Sequence, residues 1–393
     1  MQSIQTVSEN TIYVGASDRR LAKFENLFPI PRGVSYNAYV ILDEKTALLD
    51  TADASVGAQF LENVAAALDG RKLDYLIVDH MEPDHAAMIE AVLVRWPDLR
   101  LVVNAKTLPM LKMYFPTDSA AFDDALVVKE GDTLDLGKHK LTFVMAPMVH
   151  WPEVMAAYEE EEKILFSADA FGRFGSLERT ARAPWAPQAR RYYYNIVGKY
   201  GAQVQALLKK ASALDIQTIC PLHGPILKEN LEYYIGKYMT WSSYEPEDKG
   251  ILIAYASIHG NTAKAAKKLK EILESKGAEK VAITDLARDD MAEAIEDAFR
   301  YDRMILAAAS YDAGVFPCME DFLHHLKSKA YQKRTVGLLE NGSWAPSAAR
   351  TMKAVVEQMK NVSIVEPVVT IKSTMKDSDI ENMEKLADAI INA

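Results

Sequence analysis

The stretch Tyr75-Leu76-Ile77-Val78-Asp79-His80-Met81-Glu82-Pro83-Asp84-His85 decides how the amino-terminal half is read. Its apolar run predicts a strand, and the proline-containing segment that follows predicts a turn into a helix. Within that turn, His80, Glu82, Asp84 and His85 place four potential ligands in six positions. Carboxylates and imidazoles packed so densely are costly to desolvate unless a cation sits among them. Three more candidates lie where apolar runs end: His150 in Pro147-Met148-Val149-His150-Trp151-Pro152, Asp169 in Leu165-Phe166-Ser167-Ala168-Asp169, and His223 in Cys220-Pro221-Leu222-His223-Gly224-Pro225. Loops at strand ends are where a rigid scaffold displays functional side chains, so distant segments can converge there. Any one of these residues reads as readily as a cap or a turn residue; all seven together point to a metal site.

Around this segment, short apolar runs predict strands at Tyr39–Leu42, Ala47–Leu49, Leu101–Val103, Leu141–Met145, Ile164–Phe166 and Ile216–Ile219. Amphipathic stretches at Val56–Ala67 and Ala86–Val94 predict helices between some of them. A polar break, Tyr244-Glu245-Pro246-Glu247-Asp248-Lys249-Gly250, divides the chain into domains of residues 1–248 and 249–393. Beyond it the pattern becomes regular. Strands are expected at Ile251–Ala256, Lys280–Thr284, Met304–Ala309, Thr335–Leu339 and Ser363–Thr370, with helices at Thr262–Lys276, Ala292–Arg300, Met319–Ala330, Ala345–Lys360 and Asp377–Asn392. That alternation describes a doubly wound parallel five-stranded α/β sheet.

A chain of 393 residues, 49% hydrophobic and 25% charged, suits a two-domain globular protein. Its net charge of −10 argues against nucleic acid or an anionic membrane as partner. Two isolated cysteines, Cys220 and Cys318, make a disulfide framework implausible and the reducing cytoplasm the expected compartment. Met1-Gln2-Ser3-Ile4-Gln5 lacks a signal-peptide pattern, and no apolar run approaches the ~20 residues of a membrane span. His139, between Lys138 and Lys140, and His324-His325 on an amphipathic helix are expected to be exposed.

In the second domain the first strand runs into Ser257-Ile258-His259-Gly260-Asn261-Thr262 and then a helix. Hydroxyls, a glycine and free N–H groups at a helix start suit a phosphate. Two more loops follow strand ends, where such sheets bind ligands: Ser310-Tyr311-Asp312-Ala313-Gly314 and Asn341-Gly342-Ser343-Trp344. Trp344 is the best candidate for a ring packed beside a bound aromatic cofactor, the plainer reading being a loop-closing tryptophan. The first strand carries no GxGxxG, so direct NAD binding is unsupported. In Arg191-Tyr192-Tyr193-Tyr194-Asn195, Tyr193 or Tyr194 could bring a hydroxyl to a substrate pocket, against the favoured reading of helix packing.

His80-x-Glu82-x-Asp84-His85 with His150, Asp169 and His223 resembles the metal site of the metallo-β-lactamase fold. The hydrolases of that fold carry His-x-His-x-Asp-His. Glu82 in place of the second histidine is similar to the flavodiiron proteins, or A-type flavoproteins, and a hard anionic ligand suits iron. The segment Pro31–Tyr39 and the three loops of the second domain, which look like the FMN loops of flavodoxins, extend the resemblance over nearly the whole chain.

What the resemblance implies is an αββα sandwich followed by a flavodoxin-like domain, with FMN and two non-haem irons as cofactors. His80, Glu82 and His150 would hold one iron, Asp84, His85 and His223 the other, and Asp169 would bridge them. It further implies reduction of dioxygen to water or of nitric oxide to nitrous oxide, and a head-to-tail homodimer or dimer of dimers. Two isolated cysteines cannot supply a fused rubredoxin's four ligands, so the electron donor would be external: a rubredoxin, another small redox protein or a reduced deazaflavin. The alternatives are a zinc hydrolase with an accessory flavodoxin-like domain, and an electron carrier with a vestigial metal site.

Overall fold

The structure, a computed structural model, describes residues 3–116 and 120–393. Met1 and Gln2 of the amino-terminal stretch read above lie outside the described residues. The fold divides into two units, one running up to Tyr193 and including Ala202–Met239, the other made of Tyr194–Gly201 and Thr240–Ala393. This differs from a single cut at residue 248. The excursion Tyr194–Gly201 counts with the second unit because Tyr194 stacks on Phe299, with ring centroids 4.4 Å apart, and the Asn195 side chain donates to the Ala292 carbonyl.

Two sheets form the first unit. The seven-stranded one runs, in spatial order, Gln5–Thr6, Thr11–Tyr13, Tyr39–Ile41, Ala47–Leu49, Tyr75–Ile77, Arg100–Asn104 and Leu126–Val128, the last four of them parallel. In the five-stranded sheet the order is Thr133–Asp135, Lys140–Met145, Met155–Glu159, Ile164–Phe166 and Thr218–Cys220. Their inner faces share one core, with Tyr39, Leu49, Ile77 and Val102 from the first sheet and Phe143, Ala157 and Phe166 from the second. On the first sheet's other face Val40 and Leu48 are buried too, and the helix Gly57–Leu68 packs on the strand Tyr39–Ile41. Strands buried on both faces explain why their sequences read as continuous apolar runs. The helix expected at Ala86–Val94 is broken into Pro83–Ala86 and Ile89–Arg95.

His139 corrects a reading made above. It is buried, and its backbone N–H and Nδ1 lie 2.6 and 2.8 Å from Asp43 Oδ2. Lys138 and Lys140 are exposed while His139 and Leu141 point inward, so the alternation of an extended chain outweighs the charged neighbours. His324 is exposed and His325 half-buried.

The second unit is a parallel sheet in the order Val281–Asp285, Asp248–Ala256, Tyr301–Tyr311, Arg334–Asn341, with Val362–Ile364 and Val369–Ile371 sharing the last position. This is the doubly wound order whose ligand cleft opens where the first strand's neighbours lead in opposite directions. The single strand expected at Ser363–Thr370 is interrupted around Pro367, which cannot donate to a ladder. No helix of the described residues is long and apolar enough to cross a membrane.

Candidate metal centre and flavin site

The strand Tyr75–Ile77 delivers His80 and Glu82 to one end of the sandwich, and the short helix Pro83–Ala86 carries Asp84 and His85. His150 follows the strand Lys140–Met145, Asp169 the strand Ile164–Phe166, and His223 the strand Thr218–Cys220. Met148 and Ala168, near His150 and beside Asp169, adopt positive φ of 64° and 49°, a local strain of the kind found at sites the surrounding fold over-determines.

All seven residues converge, in two groups: His80, Glu82, His150 and Asp169, then Asp84, His85 and His223. Asp169 divides its oxygens between them. Its Oδ2 lies 3.0 Å from His150 Nε2 and 3.3 Å from His80 Nε2; its Oδ1 lies 3.4 Å from His85 Nε2 and 3.5 Å from His223 Nε2. Glu82 Oε2 sits 2.9 Å from His150 Nε2, and Asp84 Oδ2 sits 3.3 Å from His223 Nε2. His85 turns its Nε2 inward, 3.1 Å from that of His223.

The outer nitrogens explain this orientation. His223 Nδ1–H donates to the Ser35 carbonyl at 2.7 Å, and His80 Nδ1 lies 2.8 Å from Glu153 Oε1, which also accepts the Met81 N–H. With Nδ1 committed, Nε2 is left for a ligand. Glu153, fully buried, is a functional residue that sequence reading missed; an isolated glutamate two positions after Trp151 gives no spacing signal. Asp50 accepts the Asp79 and His80 N–H groups and was also missed.

This donor set fits cations. Both oxygens of Asp84 and of Asp169, and Nε2 of His150, are buried without a hydrogen bond, although neighbours lie close. Burial opposes a proton on His150, yet the Asp169 and Glu82 carboxylates outweigh it and raise the group to about 9. Glu82 is held well below the usual carboxylate range: burial raises it, and the His150 and His80 imidazoles beside it more than reverse that. With the four imidazoles neutral, as metal ligands must be, the three carboxylates carry −3, which two divalent ions would more than offset.

Tyr193 and Tyr194 follow the favoured packing reading rather than the substrate-pocket one. Tyr193 packs on Tyr238 and Tyr194 on Phe299, whereas it is Tyr192 whose ring meets a site histidine, 5.4 Å from His223 between centroids. Its hydroxyl is buried without a hydrogen-bond partner, and burial followed by the charges of Asp169, Glu82 and Asp84 raises it well above the usual phenol range. A π-helical turn at Tyr193–Val197 shifts the phase of the helix there, so consecutive tyrosines could not be sorted by sequence spacing. From the hairpin of Lys23–Phe24 and Phe28–Pro29, Phe24 packs edge-on against His223 and Glu25 faces Glu82. Desolvation and then the Glu82 charge raise Glu25 to about 7.

In the second unit a cavity of about 530 Å³ opens beyond the strand ends. Of the residues expected there, Ser257, Ile258, His259, Asn261 and Thr262 line it from the first loop, Ser310, Tyr311, Asp312 and Ala313 from the second, and Asn341, Gly342, Ser343 and Trp344 from the third. Gly260 and Gly314 do not line it; Arg350 and Ser373 do and were missed, being outside the loops. The helix Asn261–Ser275 begins at Gly260, with φ 89° and no side-chain cap, so its first N–H groups remain free for an anion. By contrast, Ser310 Oγ and Glu340 Oε2 accept the N–H groups of Ser347, Ala348 and Ala349 where the helix Ala348–Val356 begins. A Cβ on Gly342 would come within 2.8 Å of Pro346, so glycine permits this tight loop. Ile258, Tyr311 and Trp344 are all exposed around the opening, and Trp344 is 92% exposed. A free helix amino terminus at one end and exposed apolar side chains around the mouth fit a phosphorylated aromatic cofactor.

A dinuclear β-lactamase-like metal domain joined to a flavin-binding flavodoxin domain is the class that this fold and these sites define. A family model described as the ODP family beta lactamase matches residues 34–224, and one described as a flavodoxin domain matches residues 252–371. The rubredoxin oxygen:oxidoreductase of Desulfovibrio gigas superposes with a TM-score of 0.93 over 99% of this chain and 98% of its own, at 25% identity. A nitric oxide reductase of Moorella thermoacetica is 28% identical over 98% of this chain and 97% of its own. The fold is also that of the flavodiiron protein of Giardia intestinalis, with a TM-score of 0.89, 22% identity and coverage of 100% and 98%. The chain belongs to the flavodiiron proteins, oxidoreductases with FMN and a non-haem diiron site.

Proposed function

We propose that this protein reduces dioxygen to water, or nitric oxide to nitrous oxide, with electrons from an external donor that enter through FMN. The observation that carries the reading is Asp169, one oxygen toward the group containing Glu82 and the other toward the group containing Asp84. On this reading His80, Glu82 and His150 hold one iron, Asp84, His85 and His223 the other, and Asp169 joins them. When loaded, two ferrous ions and a reduced flavin supply the four electrons of O2 + 4e− + 4H+ → 2H2O, or two of them suffice for 2NO + 2e− + 2H+ → N2O + H2O.

The chain's own residues do the positioning. Glu153 and the Ser35 carbonyl fix two imidazoles by their outer nitrogens, so the inner nitrogens need no reorganisation. Phe24, Tyr36 and Tyr192 pack their rings around His223 and keep that side dry. The Tyr192 hydroxyl, kept protonated by burial and then by the surrounding carboxylates, can donate a hydrogen bond to an oxygen-bearing substrate. In the cavity of the second unit, the free amino terminus of the helix Asn261–Ser275 would hold the FMN phosphate and the loops carrying Tyr311 and Trp344 would receive its ring.

The relatives' names support a rubredoxin or a similar small redox protein as donor, and both gases as substrates. A head-to-tail homodimer, bringing one subunit's flavin beside the other's metals, completes the proposal, with the cytoplasm as compartment for a chain whose two cysteines are both free. The test is metal analysis of the purified protein, then anaerobic reduction and separate exposure to each gas. Two irons per chain with water or nitrous oxide as product is the expected result. Stoichiometric zinc with hydrolytic activity in iron-free protein would instead make it a hydrolase.

A further inference from the structure

Arg350 stands in the first turn of the helix Ala348–Val356 and lines the 530 Å³ cavity. It is the only lysine or arginine among the lining residues, and Asp312, on another loop, is the only carboxylate. Arg350 is exposed and has no hydrogen bond or ion pair among the described residues. The first N–H groups of that helix are taken by Ser310 and Glu340, so at this wall it is the guanidinium, which carries only donors, that is left to meet an anion in the cavity.

The sheet order fixes which end of the cavity it serves. The phosphate loop follows the strand Asp248–Ala256, and the loop leading to Arg350 follows Arg334–Asn341, with Tyr301–Tyr311 between them. Two strand spacings of ~4.8 Å put roughly 10 Å between those strands. A phosphate on the helix Asn261–Ser275 would thus sit at one wall, with Tyr311 on the loop between, while Arg350 rises from the opposite wall on the same side as Trp344.

We infer that Arg350 tunes the flavin: its fixed positive charge stabilises the reduced ring and raises the potential at which the cofactor accepts electrons. Two-electron reduction with uptake of one proton, FMN + 2e− + H+ → FMNH−, places a negative charge on the ring system. A guanidinium at the ring end therefore binds the reduced form more tightly than the oxidised form, and by linkage that ratio of affinities is the shift in potential. The external donor supplies the electrons. The assignment rests on FMN as the resident cofactor.

Spectroelectrochemical titration of the full-length FMN-loaded protein, beside its Arg350→Gln and Arg350→Lys variants, tests this, with FMN and riboflavin affinities measured on the apoproteins. Arg350→Gln should weaken the preference for reduced over oxidised flavin about tenfold, a fall of about 30 mV for a two-electron couple, while oxidised FMN binds within about twofold of the unaltered protein. Arg350→Lys should keep most of the potential, and the Arg350→Gln difference should shrink in high salt. An unmoved potential in a fully loaded Arg350→Gln variant overturns the inference. So does a loss of FMN affinity that riboflavin does not share, which would make Arg350 a phosphate ligand. Failure of the unaltered protein to retain flavin would overturn the cofactor assignment itself.

Discussion

Glu153 is placed to control a metal site that it would not itself touch. Its Oε1 holds His80 Nδ1 and the Met81 N–H together, locking the segment that carries the three following ligands, Glu82, Asp84 and His85. Glu153→Gln keeps the shape but weakens the charge-assisted bond, and iron affinity should fall about 10–100-fold, measured by competition with a chelator; unchanged affinity would remove Glu153 from the site. The seven candidate ligands were legible because six positions held four of them and three strand ends held the rest. Glu153 and the Ser35 carbonyl were not, because one is a solitary glutamate and the other a backbone atom that any residue supplies. Tyr192 was overlooked for its neighbours Tyr193 and Tyr194 because a single change of helical pitch re-aims every side chain after it.

At the level of elements, the start of the helix Asn261–Ser275 joins a local backbone rule to cofactor binding. Gly260 has φ 89°, and a Cβ there would meet nothing within 4 Å, so the obstacle to substitution is conformational. Gly260→Ala should cost about 1–2 kcal/mol and weaken FMN several-fold, read by flavin fluorescence on titrating the apoprotein. The strand that precedes this helix is tied at its other end by Asp248, whose carboxylate meets Lys280 Nζ at 2.6 Å and Arg300 Nε at 2.7 Å. Burial raises the Asp248 pKa, but hydrogen bonds to Lys280 and Arg300 more than offset it and the net shift is downward. A depressed folded-state value means stability that is present above the unfolded pKa and lost as pH falls through the folded one. Asp248→Asn should therefore cost up to about 1 kcal/mol at pH 7, a gap that shrinks as pH falls below the unfolded carboxylate range toward the lower folded-state value, as urea midpoints at neutral and at acid pH would show. Element types in this half were legible because alternating strands and helices carry two different periods. Pro367 was the exception: one apolar stretch became two short strands on either side of it.

For the whole molecule, the proposed head-to-tail pairing makes turnover a property of the pair. Diluting the loaded protein through its dissociation range should lower turnover per chain while both cofactors stay bound; constant turnover in a verified monomer would refute the pairing. The identity of the two domains could be read from the chain because each carries its own motif set. Their division could not be placed by composition alone, since Tyr194–Gly201 leaves the first unit in mid-helix to pack with the second, guided by contacts such as Tyr194 on Phe299 that are remote in sequence.

Of the chain's five tryptophans, Trp344 alone is fully open to water, while Trp185 and Trp241 are buried. Red-shifted emission from the apoprotein will therefore come mainly from this one indole, poised at the rim of the yellow chromophore's seat. Loading with flavin should quench that light. A fluorometer thus reports occupancy in real time, before any gas or donor is added.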